Sequence, residues 1–215
     1  MVIHEHKTVF IHIPKAAGVA ITHMLLQPIV GYDTTQEIGG LSVPLKLRFE
    51  LRGKQKHKQA RYYTVDDDIT YQQWREYYKF AVVRNPWDRV VSEFFWRHTL
   101  PTRRPSIRLA KFIDYCEARI RDRRNRARDI YWPHAQLQES FITDAAGYVI
   151  VDDVFRFEDL ESVVCELKER TGLPLSLQKL NDSCHDDYRQ YYDKATRDRV
   201  GQLYAKDIAR FGYEF

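Results

Sequence analysis

Two segments of this chain have the same shape. Each passes from a short apolar run, through a turn that carries a cation, into a second apolar run with helical spacing. The first is Val9-Phe10-Ile11-His12-Ile13-Pro14-Lys15-Ala16-Ala17-Gly18-Val19-Ala20-Ile21, and the second is Val82-Val83-Arg84-Asn85-Pro86-Trp87-Asp88-Arg89-Val90-Val91-Ser92. A buried strand leading straight into a helix is the building block of α/β folds with a parallel sheet. The turn between them exposes the unpaired N–H groups of a helix start, which together with a lysine or arginine form a cradle for an anion. Two such cradles in one small chain point to a ligand with anionic groups at both ends.

The rest of the chain fits this frame. The strands are expected over 8–13 and 79–83, as inner neighbours in one sheet, each followed by a helix, over 19–26 and 88–96. The first of these helices is expected to stop at Pro28. Gly39, Gly40 and Pro44 mark a loop, 61–65 reads as a short extended segment, and 69–77 as a short helix. Leu109, Phe112, Ile113, Cys116 and Ile120 recur at helical spacing and predict an amphipathic helix over about 107–126. Short strands are expected over 148–151 and 154–157, then a helix from Leu160 to near Gly172, and a C-terminal helix carrying Val200, Leu203, Tyr204, Ile208 and Phe211. Strands alternating with helices predict a three-layer α/β/α arrangement around a central parallel sheet. The length of 215 residues suits one domain over 1–215.

Composition narrows the partners. A net charge of +4 mildly favours anionic ligands and is too slight to argue for nucleic acid. Cys116, Cys165 and Cys184 are widely spaced, form no metal-ligand pattern and no disulfide framework, and so suit a reducing, cytoplasmic setting. No apolar run reaches the length of a membrane span. The arginines at 119, 121, 123, 124, 126 and 128 read as a solvated helix face or as a surface for an anionic glycan.

The turn at Lys15 is not a Walker A loop. Its lysine precedes the glycine, and no serine or threonine follows to hold magnesium, which disfavours an ordinary kinase or ATPase. By itself it also reads as a turn with a solvated lysine. Arg84 stands where a planar fork can grip a phosphate, and Ser92, two helical turns on, can add a hydroxyl. The plainer alternative is a buried arginine paired with a carboxylate and a serine on a packed face.

Taken together, these residues resemble the sulfotransferases that use 3′-phosphoadenosine 5′-phosphosulfate (PAPS), most closely the carbohydrate sulfotransferase branch and its bacterial relatives. Ile13 to Gly18 is similar to that branch's loop for the 5′-phosphosulfate, and Arg84 to Ser92 to its segment for the 3′-phosphate. Arg156-Phe157-Glu158-Asp159-Leu160 and the tail from Tyr204, with Asp207 and Phe211-Gly212-Tyr213, extend the resemblance over nearly the whole chain.

The resemblance implies the sulfotransferase fold, related to P-loop kinases. It implies PAPS as donor with the bisphosphate PAP as product, and a hydroxyl acceptor on a carbohydrate. Pro14, Lys15, Ala16, Ala17, Gly18, Val19, Ala20, Arg84 and Ser92 would then hold the donor, with Lys15 also catalytic and no metal. The branch's general base is a histidine in a Lys-His-x-x-Ala-like stretch. Lys56-His57-Lys58-Gln59-Ala60 fits it, which makes His57 the expected base, its basic form favoured by the flanking lysines. His134 is the second candidate. The family loop usually carries Thr or Ser where this chain has Val19 and Ala20, and each lost bond to phosphate is expected to cost about 1.5–3 kcal/mol. Two other functions remain open from sequence: a small-molecule kinase of the P-loop class, and a non-catalytic module that binds a nucleotide or polyanion.

Overall fold

The structure, a computed structural model, describes residues 1–30, 35–38, 41–44, 57–66, 68–99, 109–122, 131–177 and 185–215. Among these, the strands and helices run in the order β1 (Val2–Ile3), β2 (Thr8–Ile11), α1 (Gly18–Val30), β3 (Thr35–Ile38), β4 (Leu41–Pro44), α2 (Tyr71–Glu76), β5 (Tyr78–Val83), α3 (Pro86–Thr99), α4 (Leu109–Arg121), α5 (Trp132–Ala135), α6 (Glu139–Ile142), β6 (Asp153–Arg156), α7 (Leu160–Thr171), α8 (Lys194–Leu203) and α9 (Ala205–Phe211). The chain forms two compact units. One is Met1–Val83 with Phe141–Asp182, and the other is Arg84–Ser140 with Ser183–Phe215.

The first unit holds a four-stranded sheet in the order β1-β2-β5-β6. β2 and β5 are parallel, with Phe10 opposite Phe80, and β5 and β6 are parallel, with Val82 opposite Phe155. The two expected inner strands are therefore direct neighbours. Every residue of β2 is buried, as a strand covered on both faces requires, and this explains why it reads as an unbroken apolar run. β1 departs from the wholly parallel expectation and pairs antiparallel with β2. Only a 3-10 turn over His4–His6 and a left-handed Lys7 join them, far too little chain for a parallel crossover.

Several expected boundaries shift. α1 continues through Pro28 to Val30. Extended segments flank residues 39–40 and pair antiparallel, Thr35 opposite Pro44, where a loop was expected. Residues 60–62 form a 3-10 turn instead of an extended segment. Only Thr143 and Val149 bridge where a strand over 148–151 was expected. α2 begins on a capping box of Thr70 and Gln73. α7 ends where Gly172 adopts φ 66 and donates to the Lys168 carbonyl, a left-handed cap that glycine adopts without strain.

The second unit is helical. Trp87, Val90, Phe112, Ile113, Cys116, Ala135, Val200 and Tyr204 form its buried core. Burying each large side chain of that set contributes about 1.5–3 kcal/mol. The expected C-terminal helix breaks into α8 and α9 at Tyr204. Its hydroxyl donates to the Ala135 carbonyl from inside the core, which fixes the chain at the break. Lys56, Cys184 and the arginines at 123–128 lie outside the described residues.

Candidate active site

The lysine turn belongs to the first unit. β2 delivers the chain into residues 14–17, and α1 begins at Gly18. Lys15 has φ 66 and Ala17 has φ 57, while Pro14 and Ala16 do not share that sign. Left-handed conformations cost a non-glycine residue about 1–2 kcal/mol each. Alternation of this kind can make a concave run of N–H groups; the Ala16 N–H donates to the Ile13 carbonyl at 3.4 Å. The start of α1 follows immediately, and its first N–H groups have no partner within the helix. Ala16 and Ala20 are buried, Lys15 and Ala17 are half-buried, and the Val19 side chain is 39% exposed.

Two histidines frame this turn. His12, at the end of β2, is buried and stacks on Phe10. A Cβ built on Gly18 would come 1.8 Å from His12 Nε2, so residue 18 must be glycine because a ring occupies the space. The His12 ring is thus the floor of the turn. His57 lies edge-on to it, with ring centroids 4.6 Å apart. His57 Nδ1 is 3.2 Å from the His12 carbonyl oxygen. A carbonyl only accepts, so Nδ1 carries the hydrogen, and in the neutral ring Nε2 holds the lone pair. The backbone of His57 is itself left-handed, φ 61. The flanking charge expected to favour its basic form is offset at Lys58, whose buried ammonium pairs with Asp66 at 2.8 Å and with Asp68.

The arginine segment belongs to the second unit and is built from side chains. Arg84 is 6% exposed, and its Nε donates to Asp88 at 2.7 Å, so the carboxylate pairing weighed from sequence is present. The Arg84 backbone is clamped on both sides by one amide: its N–H donates to Gln138 Oε1 at 2.9 Å, and its carbonyl accepts from Gln138 Nε2 at 2.8 Å. Gln138 is fully buried, and its own N–H, with that of Glu139, donates to the Asp207 carboxylate. Burial pushes the Asp207 carboxyl up to about 6 against the opposing pull of Arg89 and these two N–H groups. Gln138 carried no signal in the sequence, because a lone glutamine has no pattern. Asn85 caps the start of α3 by accepting from the Trp87 N–H, and Ser92 is 1% exposed on that helix. Arg89 turns into the core, donating to the Gln136 carbonyl at 2.6 Å.

His134 sits in a separate cluster of the second unit. Its Nδ1 is 2.8 Å from Glu93 Oε2, and its ring stacks on Trp96. Glu93 also accepts from Arg97 Nε at 2.5 Å. Burial alone would raise the Glu93 carboxyl, but His134 and Arg97 outweigh it and hold it below its ordinary value. Arg97 lies over the rings of Tyr115 and Tyr131, at 4.5 and 4.6 Å.

Residues 1–214 match the sulfotransferase family. The crystal structure of mouse sulfotransferase SULT7A1 complexed with PAP superimposes with a TM-score of 0.56 at 12% identity, covering 97% of this chain and 86% of that one. No curated protein matches the sequence. The chain therefore belongs to the sulfotransferase family, the PAPS-dependent enzymes of sulfuryl transfer, and has the three-layer α/β/α fold of that family.

Proposed function

We propose that this sulfotransferase moves the sulfuryl group of PAPS to a hydroxyl of a carbohydrate by in-line displacement at sulfur, without a metal. The donor supplies a sulfuryl group activated by its bond to the 5′-phosphate. Residues 14–20 receive the 5′-phosphosulfate end, and Arg84 with Ser92 receive the 3′-phosphate. Lys15 neutralises charge that grows on the bridging oxygen as the bond to sulfur breaks, a charge larger in the transition state than in the bound donor. His57 Nε2 takes the proton of the attacking hydroxyl. Metal independence rests on the turn having no hydroxyl in place to hold magnesium. The carbohydrate acceptor rests on the resemblance of the two motifs to that branch. The cytoplasmic setting rests on cysteine usage, and the whole of 1–215 is read as one functional domain.

The observation that supports the mechanism is the bond from His57 Nδ1 to the His12 carbonyl beside the lysine turn, which in the neutral ring puts the lone pair on Nε2. The test begins with ligand-induced thermal shift, since a ligand that binds only the folded chain raises its melting temperature. Adenosine 3′,5′-bisphosphate should stabilise the protein, and ATP with magnesium should not. The reverse result would assign the chain to the kinase reading. Binding of the bisphosphate without any turnover across a panel of sugar acceptors would favour the non-catalytic one. No helix among the described residues is long and apolar enough to cross a membrane.

A further inference from the structure

Lys58 follows His57 in the chain, and its head group is committed to two carboxylates of its own unit. The side chain is 5% exposed. Nζ donates to Asp68 Oδ2 and lies 2.8 Å from Asp66 Oδ2. The same Nζ sits 5.5 Å from the centroid of the fully buried Tyr63 ring. Backbone turns bring the two carboxylates back to the lysine. The Asp66 N–H donates to the Tyr62 carbonyl at 3.0 Å, and the Asp68 N–H donates to the Tyr63 carbonyl at 3.1 Å. Lys58 and Asp68 are thus tied together through one buried amine.

This tie fixes the backbone beside it. His57 has φ 61. A left-handed conformation is uncommon in a residue with a Cβ and persists where the surrounding structure imposes it. The same rotation sets the direction in which the side chain leaves the backbone. At φ 61 the His57 ring stands edge-on to His12, with Nδ1 3.2 Å from the His12 carbonyl oxygen. A return to an ordinary negative φ would swing Cβ, and the imidazole with it, off that carbonyl. The bond to His12 lies at the long end of the hydrogen-bond range and resists such a swing only weakly. Two carboxylates on the amine of the next residue are the stronger hold.

We propose that Lys58 is a positioning residue for His57: its pairing with Asp66 and Asp68 keeps His57 in the left-handed conformation that seats Nδ1 on the His12 carbonyl. This rests on the assignment of His57 as general base.

The first test needs no acceptor. The ring nitrogens of His57 are read from the 15N spectrum of the full chain at about pH 8, above the ordinary imidazole range, with His57→Ala identifying the signals. The unaltered protein should carry the hydrogen on Nδ1. Lys58→Met keeps the length of the stem and removes the amine. It should let the hydrogen spread over both nitrogens, as in a free imidazole, and leave calorimetric affinity for adenosine 3′,5′-bisphosphate unchanged. The second test is turnover with PAPS and an active acceptor. Lys58→Met should lower kcat by about 10–100-fold, the scale of a misplaced catalytic group, with the donor KM unchanged. In the His57→Ala background it should lower kcat no further, because a residue that acts through the ring then has nothing to position.

An Nδ1 hydrogen that persists in Lys58→Met overturns the proposal, as does an unchanged kcat. So does a loss of bisphosphate affinity matching that of Lys15→Ala, or a further loss of kcat in the His57→Ala background, since either gives Lys58 a role of its own. If Lys58→Met melts early, Lys58→Met with Asp68→Asn removes both members of the buried pair and replaces it in each measurement. The two levels separate cleanly. Full turnover in His57→Ala removes the base, and the role of Lys58 with it. If His57→Ala loses turnover while Lys58→Met keeps both turnover and the Nδ1 hydrogen, only Lys58 is excluded.

Discussion

The lysine turn and the arginine segment are both strand-to-helix junctions, yet they are made in opposite ways. The lysine turn is a backbone device. Its shape lies in left-handed Lys15 and Ala17, and in a glycine whose missing Cβ makes room for His12. The arginine segment is a side-chain device. Arg84 is held by Asp88 and Gln138, and Gln138 by Asp207, inside a helical unit. The difference teaches what each junction tolerates. The first should accept loss of side-chain hydroxyls and resist added bulk. The second should resist any change that leaves one of its buried polar groups unpaired.

The sharpest probe of the turn is chemical. His57→Ala should lower turnover about 10²–10⁴-fold, the usual cost of losing a general base, while bisphosphate affinity stays near wild type. Lys15→Ala should damage both. Steady-state rates with an active acceptor, beside calorimetric affinities, check the split. Full activity in His57→Ala would move the base to the His134 and Glu93 pair of the other unit.

Packing gives the next effect. Gly18→Ala drives a methyl into the His12 ring, and overpacking of this kind typically costs about 1–3 kcal/mol. Removing the ring as well, in Gly18→Ala with His12→Ala, should recover part of that loss. The arginine segment should answer differently. Gln138→Leu is close in size but leaves the Arg84 N–H and carbonyl unpaired in the interior, at about 1–3 kcal/mol for each buried group. It should also weaken the bisphosphate more than the 5′-phosphate. Urea midpoints and the two affinities decide whether bulk and polarity act as the comparison requires.

Asp207 ties the second junction to pH. Its folded value near 6 lies above the ordinary 3.8, so between these values the folded state binds more protons than the unfolded state. Stability from this group is present below about pH 4 and is lost as pH rises toward 6, by up to about 3 kcal/mol for two units. Glu93, held low, acts with the opposite sign and loses its contribution as pH falls through its folded value. Asp207→Asn should flatten the slope over pH 4–6 in urea midpoints, at the price of one backbone hydrogen bond, since an amide oxygen replaces only one of the two acceptors. An unchanged slope would place that titration elsewhere.

Much of the backbone was legible in the residues, and less of the site. β2 and β5 were readable because strands buried on both faces are unbroken apolar runs, and their pairing followed from the shared strand-to-helix pattern. β1 was missed because two residues carry no periodicity. The break at Tyr204 was missed because α8 and α9 keep one apolar spacing across it. At the site, Lys15, Gly18 and Arg84 stood out as local motifs. His12 as the floor of the turn and Gln138 as the clamp of Arg84 depend on contacts across 6 and 54 residues, which no local pattern encodes.

The gentlest probe concerns the hydroxyls absent from the turn. If backbone N–H groups and Lys15 saturate the phosphate, Val19→Thr should change nothing. If a bond is missing, the new hydroxyl should tighten bisphosphate binding by about 1.5–3 kcal/mol, roughly ten- to hundredfold, the value of one hydrogen bond to a charged group. The two positions differ in what else they feel. Val19 is 39% exposed and β-branched like threonine, so the exchange costs little packing. Ala20 is 7% exposed, and Ala20→Ser places a hydroxyl where burial without a partner is a loss. Val19→Thr is therefore expected to give most of the gain, and Val19→Thr with Ala20→Ser no more than that. A larger gain from Ala20→Ser would mean that position 20, although buried here, faces the phosphate.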